Sequence, residues 1–354
     1  MKKYLFRHIY YSLFFLWLNT TICVADTNNT DINISEEYNT TIDRAYKNIS
    51  NKVLDWSEYL DVRISSWLDD NVSDPACLAE NIEGFRERNK IDKTSIDYFF
   101  QNNRYLNDTK DIYIRLRLNN YLYSKDTNKI NMKLSAQLPF DRCKKQWKIF
   151  LQDPTINQPE NRTTDTSGGG LGIRYYPKDR FGIHASYSLG FTEGSPYIRS
   201  RYKFPLHYHS WKIEPVQIFK YSSKYYFEEE TNIYFDKTIG DDLFRMILHR
   251  KSASTLTGTD YGLTFQYYLN LGKNAGLRLT QSFFGNTHYS HYYAFDKNYN
   301  HINNYVTSIS WRENIWRKWL YYEIRPTVNF HKDHNYDASY TLQFLFDVYF
   351  GEYR

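Results

Sequence analysis

The stretch ASYTLQFLFDVYFG (338–351) places Tyr340, Leu342, Phe344, Phe346, Val348 and Phe350 on every second position. A β-strand sends successive side chains to opposite faces, so this rhythm predicts a strand with one wholly apolar face. The same rhythm opens in DIYIRLRLNN (111–120), where Ile112, Ile114, Leu116 and Leu118 alternate with Tyr113, Arg115, Arg117 and Asn119. It continues in KINMKLSAQL (129–138), with SKDTNK as the hairpin turn between the two. Further segments with this grammar are 146–152, 170–176, 181–191, 197–204, 210–220, 224–236, 242–249, 259–270, 275–286, 302–312, 318–330 and 338–350. Of these, 146–152 is short and 210–220 loses its alternation near Val216.

A soluble β-sandwich also alternates, but its apolar faces must meet each other and its strands are commonly about 5–6 residues long. Most of these segments approach the roughly 9–11 residues that cross a bilayer at a tilt. Their polar faces carry large charged groups, strand after strand. A closed barrel satisfies both facts, with lipid against the apolar face, a wet bore against the charged one and no edge strand left unpaired. The mean hydropathy of −0.70 is then expected, because only half of each strand is apolar. Aromatics make up 19% of residues, with 35 Tyr and 23 Phe, a load that a water-soluble chain this polar would struggle to hide. Trp311, Trp316 and Trp319 bracket one predicted turn, and Tyr175, Tyr176, Tyr202 and Phe204 fall near other strand ends, where interfacial girdles belong. Short connections such as 176–180 and 271–276 alternate with long polar ones at 153–168 and 287–301, as periplasmic turns alternate with outer loops. The expected fold is therefore an all-β transmembrane β-barrel of about 12–14 antiparallel strands, spanning 109–354.

The chain opens like a secretory signal. Lys2, Lys3 and Arg7 precede the apolar run Tyr10–Leu18, and Cys23-Val24-Ala25 suits cleavage before Asp26. Removing residues 1–25 takes three of the 45 basic side chains and none of the 40 acidic ones, leaving a formal charge of +2. So balanced a chain offers no electrostatic support for nucleic-acid binding. Residues 26–108 read as a periplasmic N-terminal segment, with an amphipathic helix over about 42–70 whose apolar residues Ile42, Ala45, Ile49, Val53, Trp56, Leu60, Ile64 and Leu68 recur at three or four. Packing on the rest of the molecule explains such a helix; a trimer-forming or plug-like role is the sharper alternative. Cys77 and Cys143 remain after cleavage and can form one disulfide in an oxidising compartment.

Four segments resemble an uncharacterised proteobacterial family of outer-membrane β-barrel proteins. They are SIDYFFQNNRYLNDTKDIYIRLRL (95–118), KLSAQLPFDRCKKQWKIFLQ (133–152), GGGLGIRYYP (168–177) and WLYYEIRPTVNFHKD (319–333). The resemblance implies the outer membrane of a Gram-negative bacterium, with outer-membrane lipid and lipopolysaccharide as surroundings, and brings no activity. Phe350, followed by GEYR, resembles the aromatic C-terminal signal of such barrels, although the chain continues past it; dependence on the barrel-assembly machinery is implied.

Catalytic motifs are not present: there is no Gly-x-Ser-x-Gly elbow, no His-Glu-x-x-His and no phosphate loop, and nothing calls for a cofactor. His209-Ser210 and His288-Tyr289-Ser290-His291 are the raw material for a lipid-modifying enzyme, but neighbours on a strand point to opposite faces. His207 with His209, and His331 with Asp333 and His334, have metal-ligand chemistry in turn and loop contexts. The stronger constellation is the charge that alternation aims inward: Arg115, Arg117, Lys133, Lys148, Arg174, Arg199, Arg201, Lys203, Arg245 and Arg278, with Glu228, Glu230, Glu323, Arg325 and Asp347. Bases lead and acids follow, so basic and acidic walls are expected to face each other, either as a transverse field or as salt bridges that fill the bore. The expected function is a pore for small polar solutes, anionic ones among them, and not an enzyme. A closed structural or surface-binding barrel, a lipid-modifying enzyme and an assembly role for the helix stand as alternatives.

Overall fold

The structure is a computed structural model that describes residues 40–68, 96–100, 112–140, 147–151 and 170–351, the last without 178, 180, 193, 256–257, 273 and 289–300. The chain forms two units, Met1–Arg44 and Ala45–Arg354. Of the first, Thr40–Arg44 is described, the start of a helix with reciprocal caps. The Thr40 hydroxyl accepts from the Asp43 N–H at 3.2 Å, and Asp43 accepts from the Thr40 N–H at 3.3 Å. Cys77, Cys143 and the signal lie outside the described residues.

The second unit is built from strands β1 (Tyr113–Tyr123), β2 (Lys129–Phe140), β3 (Trp147–Leu151), β4 (Gly170–Tyr175), β5 (His184–Thr192), β6 (Ser195–Lys203), β7 (Leu206–Tyr208), β8 (Trp211–Ser222), β9 (Tyr226–Ile239), β10 (Asp242–Ala253), β11 (Asp260–Asn270), β12 (Ala275–Asn286), β13 (Ile302–Asn314), β14 (Leu320–His331) and β15 (Ala338–Gly351). Each pairs antiparallel with its sequence neighbour, except that β6 pairs directly with β8, leaving β7 as a short side pairing on β8. The first strand pairs with the last, from Tyr113↔Gly351 to Tyr123↔Thr341, which closes the ring as a 14-strand transmembrane barrel. Closure matters because an open edge would leave backbone groups unsatisfied in hydrocarbon. No helix among the described residues is long and apolar enough to cross a membrane.

Parity then decides a residue's surroundings. On β15, Leu345, Asp347 and Tyr349 are buried in the bore, while Tyr340 and Phe346 are exposed on the outside. The outer row continues around the ring through Leu118, Met132, Ile173, Leu189, Ile198, Leu248, Leu279 and Ile309, all exposed. Segment 210–220, which loses alternation in sequence, is one unbroken strand: β8 turns Val216 and Ile218 into the bore, where both are buried. Alternation of polarity fails there while alternation of direction holds.

Connections at the end that carries the start of β1 and the end of β15 are short. The β9–β10 hairpin turns through Gly240 and Asp241, with Gly240 at φ +61, the positive value that the first central position of a type II′ turn requires. The long connections 152–169 and 287–301 both fall at the opposite end. Helix α1 (Thr41–Leu68) meets the rim at the terminal end: Tyr46 stacks on Trp319 at 4.5 Å between centroids and lies 5.7 Å from Phe350, and Gly351 N–H donates to Ser50 Oγ at 3.4 Å.

Outward placement has a measurable cost when violated. Phe346→Arg, on the outer face of β15, is expected to lower stability by about 2–4 kcal/mol, and Ile130→Arg, near a strand end, by about 0–1 kcal/mol, read by urea unfolding in lipid bilayers. Equal costs at both depths would contradict a lipid-facing belt.

Candidate functional site

The bore is lined by the inward parity of every strand, and its charges are arranged unevenly. Strands β1–β6 contain no Asp or Glu at all, yet contribute Arg115, Arg117, Lys133, Lys148, Arg174, Arg199, Arg201 and Lys203 to the inner face. Register stacks some of these into a row. Lys148 pairs with Arg174, Arg174 with Ser188, Ser188 with Arg199, and Arg199 with Lys220, so directly opposed positions on β3, β4, β5, β6 and β8 lie side by side. Lys220 in turn opposes Glu228. Like charges directly opposite one another on a sheet repel, so this row needs compensation. Rings supply part of it: the Arg174 guanidinium lies 4.8 Å from the Phe150 ring centroid, Lys148 5.1 Å from that of Tyr176 and Lys220 5.5 Å from that of Tyr197. Arg174 Nε also donates to Ser188 Oγ at 2.9 Å. Arg201 opposes Ser186 and Ile218, Arg115 opposes Ser135 and Tyr349, and the buried Nε of Arg115 has no hydrogen-bond partner among the described residues.

Tyr176, expected in the outer girdle, is instead part of this wall. It follows Arg174 by two residues and keeps its parity, so its hydroxyl comes within 3.4 Å of Arg174 Nη1. It lies in the turn after β4. Burial by itself would raise its pKa, but Lys148 and then Arg174 outweigh burial and hold the hydroxyl down to about 8.

The remaining strands hold the acids; several are met by cations on the same or adjacent strands, while the buried Asp260 accepts from Asn286 Nδ2 at 2.7 Å. Asp347 takes a bidentate bond from Arg117, at 2.6 and 2.7 Å, and a third from Arg312 at 2.9 Å. Glu323 accepts from Arg325 at 2.5 Å and from Ser310, and lies 3.3 Å from Arg312 and 3.5 Å from Arg278. Asp236 is held bidentately by Arg245 at 2.7 and 3.0 Å. Glu228 sits between Lys220 and Lys251, at 3.1 and 2.8 Å, and Glu230 lies 3.8 Å from His249. The expected acidic wall is therefore largely an ion-paired one: Asp236, Glu323 and Asp347 are buried against arginines and Glu228 against two lysines. Salt bridges run between these strands and reach β1 through Arg117, while β1–β6 have no carboxylate of their own.

The bore also holds a segment expected to lie in the periplasmic part of the chain. Helix α2 (Ile96–Phe100) packs on inward residues of β10–β14. Phe100 meets Tyr268 edge-on at 5.3 Å, Phe99 meets Tyr321 at 5.8 Å, and Ile96 and Leu243 complete the buried cluster. Arg312 Nε donates to the Phe99 carbonyl at 2.9 Å, and Arg278 lies 5.2 Å from the Phe100 ring centroid. Gly276 makes room for this: a Cβ there would come within 2.9 Å of the Phe100 ring. The sequence signal was the aromatic run Tyr98-Phe99-Phe100 ahead of the first strand.

The other candidates stay apart from the bore. His207 is exposed on β7, and His209 occupies a turn at φ +52. His331 accepts from the Asp333 N–H at 3.1 Å and caps the 3-10 turn Lys332–His334. Tyr289, Ser290 and His291 lie outside the described residues. Among those described, no group of three or more His, Cys, Asp or Glu is placed to hold a metal ion.

No protein-family model matches the chain, and no curated protein matches it in sequence. Solved structures similar to it include a loop-deletion mutant of OmpT, an outer membrane protein of Vibrio cholerae, at 8% identity and a TM-score of 0.47, covering 68% of this chain and 98% of that one. An anion-selective porin from Comamonas acidovorans aligns at 8% identity with a TM-score of 0.44, over 68% of this chain and 98% of that one. The outer membrane protein opdK from Pseudomonas aeruginosa aligns at 9% identity with a TM-score of 0.41, over 68% and 99%. Scores of this size add nothing to the closure of the ring, which establishes the fold by itself.

Two outcomes follow from this geometry. Glu323→Gln leaves Arg278, Arg312 and Arg325 without their shared carboxylate and is expected to cost about 3–5 kcal/mol in urea unfolding, whereas Asp337→Asn, at the exposed 3.9 Å pair with Lys125, changes stability by about 0–1 kcal/mol. Tyr176 has its folded pKa at about 8 against 10.0 for a free tyrosine, so the unfolded chain holds the extra proton between those values and stability rises with pH across that window. Absorbance titration of wild type minus Tyr176→Phe should show one phenolate forming near pH 8; a difference centred near the ordinary tyrosine value would refute the placement.

Proposed function

We propose that this chain is a channel of the Gram-negative outer membrane that passes small anionic solutes and performs no covalent chemistry. The observation that carries this reading is the imbalance in the bore: six consecutive strands supply cations and no carboxylate, while Glu228, Asp236, Glu323 and Asp347 on the other strands are each matched by arginines or lysines. A narrow, low-dielectric passage with such a wall concentrates anions and repels cations. The exposed apolar belt supports a membrane location, with outer-membrane lipid and lipopolysaccharide against it and the barrel-assembly machinery as the route of insertion.

A second reading is favoured by α2. Phe99 and Phe100 fill part of the bore on β10–β14, which supports a closed, structural or surface-binding barrel. Planar-bilayer recording across a salt gradient separates the two. A channel gives stepwise conductance with a reversal potential on the anion side, and replacing Lys133, Arg174 and Arg201 together by Gln moves that potential toward zero. Silence after insertion has been verified by heat-modifiable gel migration would leave the closed barrel.

A further inference from the structure

We infer that helix α1 is an interfacial helix whose exposed strip Ile49, Lys52, Trp56, Tyr59 and Arg63 docks on the phospholipid leaflet at the short-turn end of the barrel. These five residues recur at three or four and fall within about 80° of the helix circumference. Ile49, Trp56 and Tyr59 are exposed, Trp56 to 72%. Lys52 and Arg63 are exposed on the same strip, while Ser50, Val53 and Ser57 on the adjoining side are buried. Over Ala45–Arg63 the charges balance, with Lys47, Lys52 and Arg63 against Asp55, Glu58 and Asp61. Their placement does not: the strip holds two of the cations and none of the carboxylates.

Continuity with the lipid-facing belt and charge together select the occupant. Tyr46 on the same helix stacks on Trp319 and lies beside Phe350. Phe350 keeps the parity of the exposed Tyr340 and Phe346, so the helix is held at the outer perimeter of the rim, where the apolar belt gives way to headgroups. Trp and Tyr are the side chains favoured at that depth. Lysine and arginine lay their stems along apolar surface and carry their heads to phosphate, and basic side chains on such a helix are drawn to anionic lipid. Arg63 already shares the strip with a ring: its guanidinium carbon lies 5.4 Å from the Tyr59 ring centroid, and its Nε donates to the Tyr59 hydroxyl at 3.0 Å. The same spacing would serve a coiled-coil seam with a second copy, but in a symmetric parallel seam Lys52 and Arg63 would face their own copies. A leaflet that contains anionic phospholipid accepts both cations.

Trp56 reports on this contact whether or not the bore conducts. The full chain is reconstituted in bilayers of phosphatidylethanolamine and phosphatidylglycerol, with acyl chains either plain or brominated near the headgroup, and its fluorescence is compared with that of Trp56→Phe. The difference between the two proteins is the emission of Trp56. Brominated lipid is expected to quench it at least about twofold. Lys52→Glu with Arg63→Glu reverses the charge of the strip and is expected to restore at least about half of the lost emission, whereas Lys47→Glu, on another face of the helix, restores less than about a tenth. Heat-modifiable gel migration verifies that each variant holds a folded barrel. Should Trp56→Phe fail that check, the total emission of the wild type and of the double charge reversal, compared in the two lipids, gives the same answer without it. Trp56 emission that brominated lipid leaves unchanged and aqueous iodide quenches would overturn the docking. Emission shielded from lipid and iodide alike would overturn it too, and would assign the strip to a second copy.

Discussion

Hydrogen bonding of the backbone in a medium without water is the constraint on which this molecule depends. A strand in hydrocarbon needs a partner on both sides, and the pairing of β1 with β15 removes the last two unpaired edges. Once the ring is closed, each side chain has two possible surroundings, and its position along the strand selects one. Phe346 and Asp347 are neighbours in sequence; one is exposed on the outer belt and the other is buried between two arginines. The polar composition and the heavy aromatic load are two consequences of the same closure.

The interior solves its charge problem in two ways. On β13–β15 and β1, charged groups meet across adjacent strands, as Arg312 does with Glu323 and Arg117 with Asp347, so the cost of leaving water is met by short, partly bidentate contacts. On β3–β6 no carboxylate is within the strands, and among the described residues aromatic faces and a hydroxyl stand beside Lys148 and Arg174. Helix α2 settles on the neutralised side, where Arg312 offers a donor to the Phe99 carbonyl and Gly276 offers space. Among the described strands, the bore thus has an ion-paired side and a side whose strands supply bases and no carboxylate.

Much of this was legible in the chain. Strict alternation located the strands because direction and polarity change together in β1, β2 and β15, and the inward residues Arg115, Arg117, Arg174, Glu323 and Asp347 followed from parity. Legibility failed where the two signals separate. Val216 and Ile218 face inward and are buried although they are apolar, so strand direction continues where polarity no longer reports it. Tyr176 looked like a girdle residue because tyrosines are common at strand ends, but its parity with Arg174 turned it inward. Acids were read as one wall and bases as another because sequence order says nothing about which strand meets which side chain across a ladder. The α2 segment was missed because five residues are too few for a period, and only the space left by Gly276 explains where its rings go.

The sequence by itself determined the class of fold and the number of crossings to within one hairpin, since both rest on segments with a two-residue period. Tertiary structure alone decided which charges neutralise each other, that four cations share one row, and that an aromatic turn ahead of the first strand enters the bore. Those depend on register and on closure, where residues as distant as Arg117 and Asp347 become neighbours, and no local pattern encodes that distance.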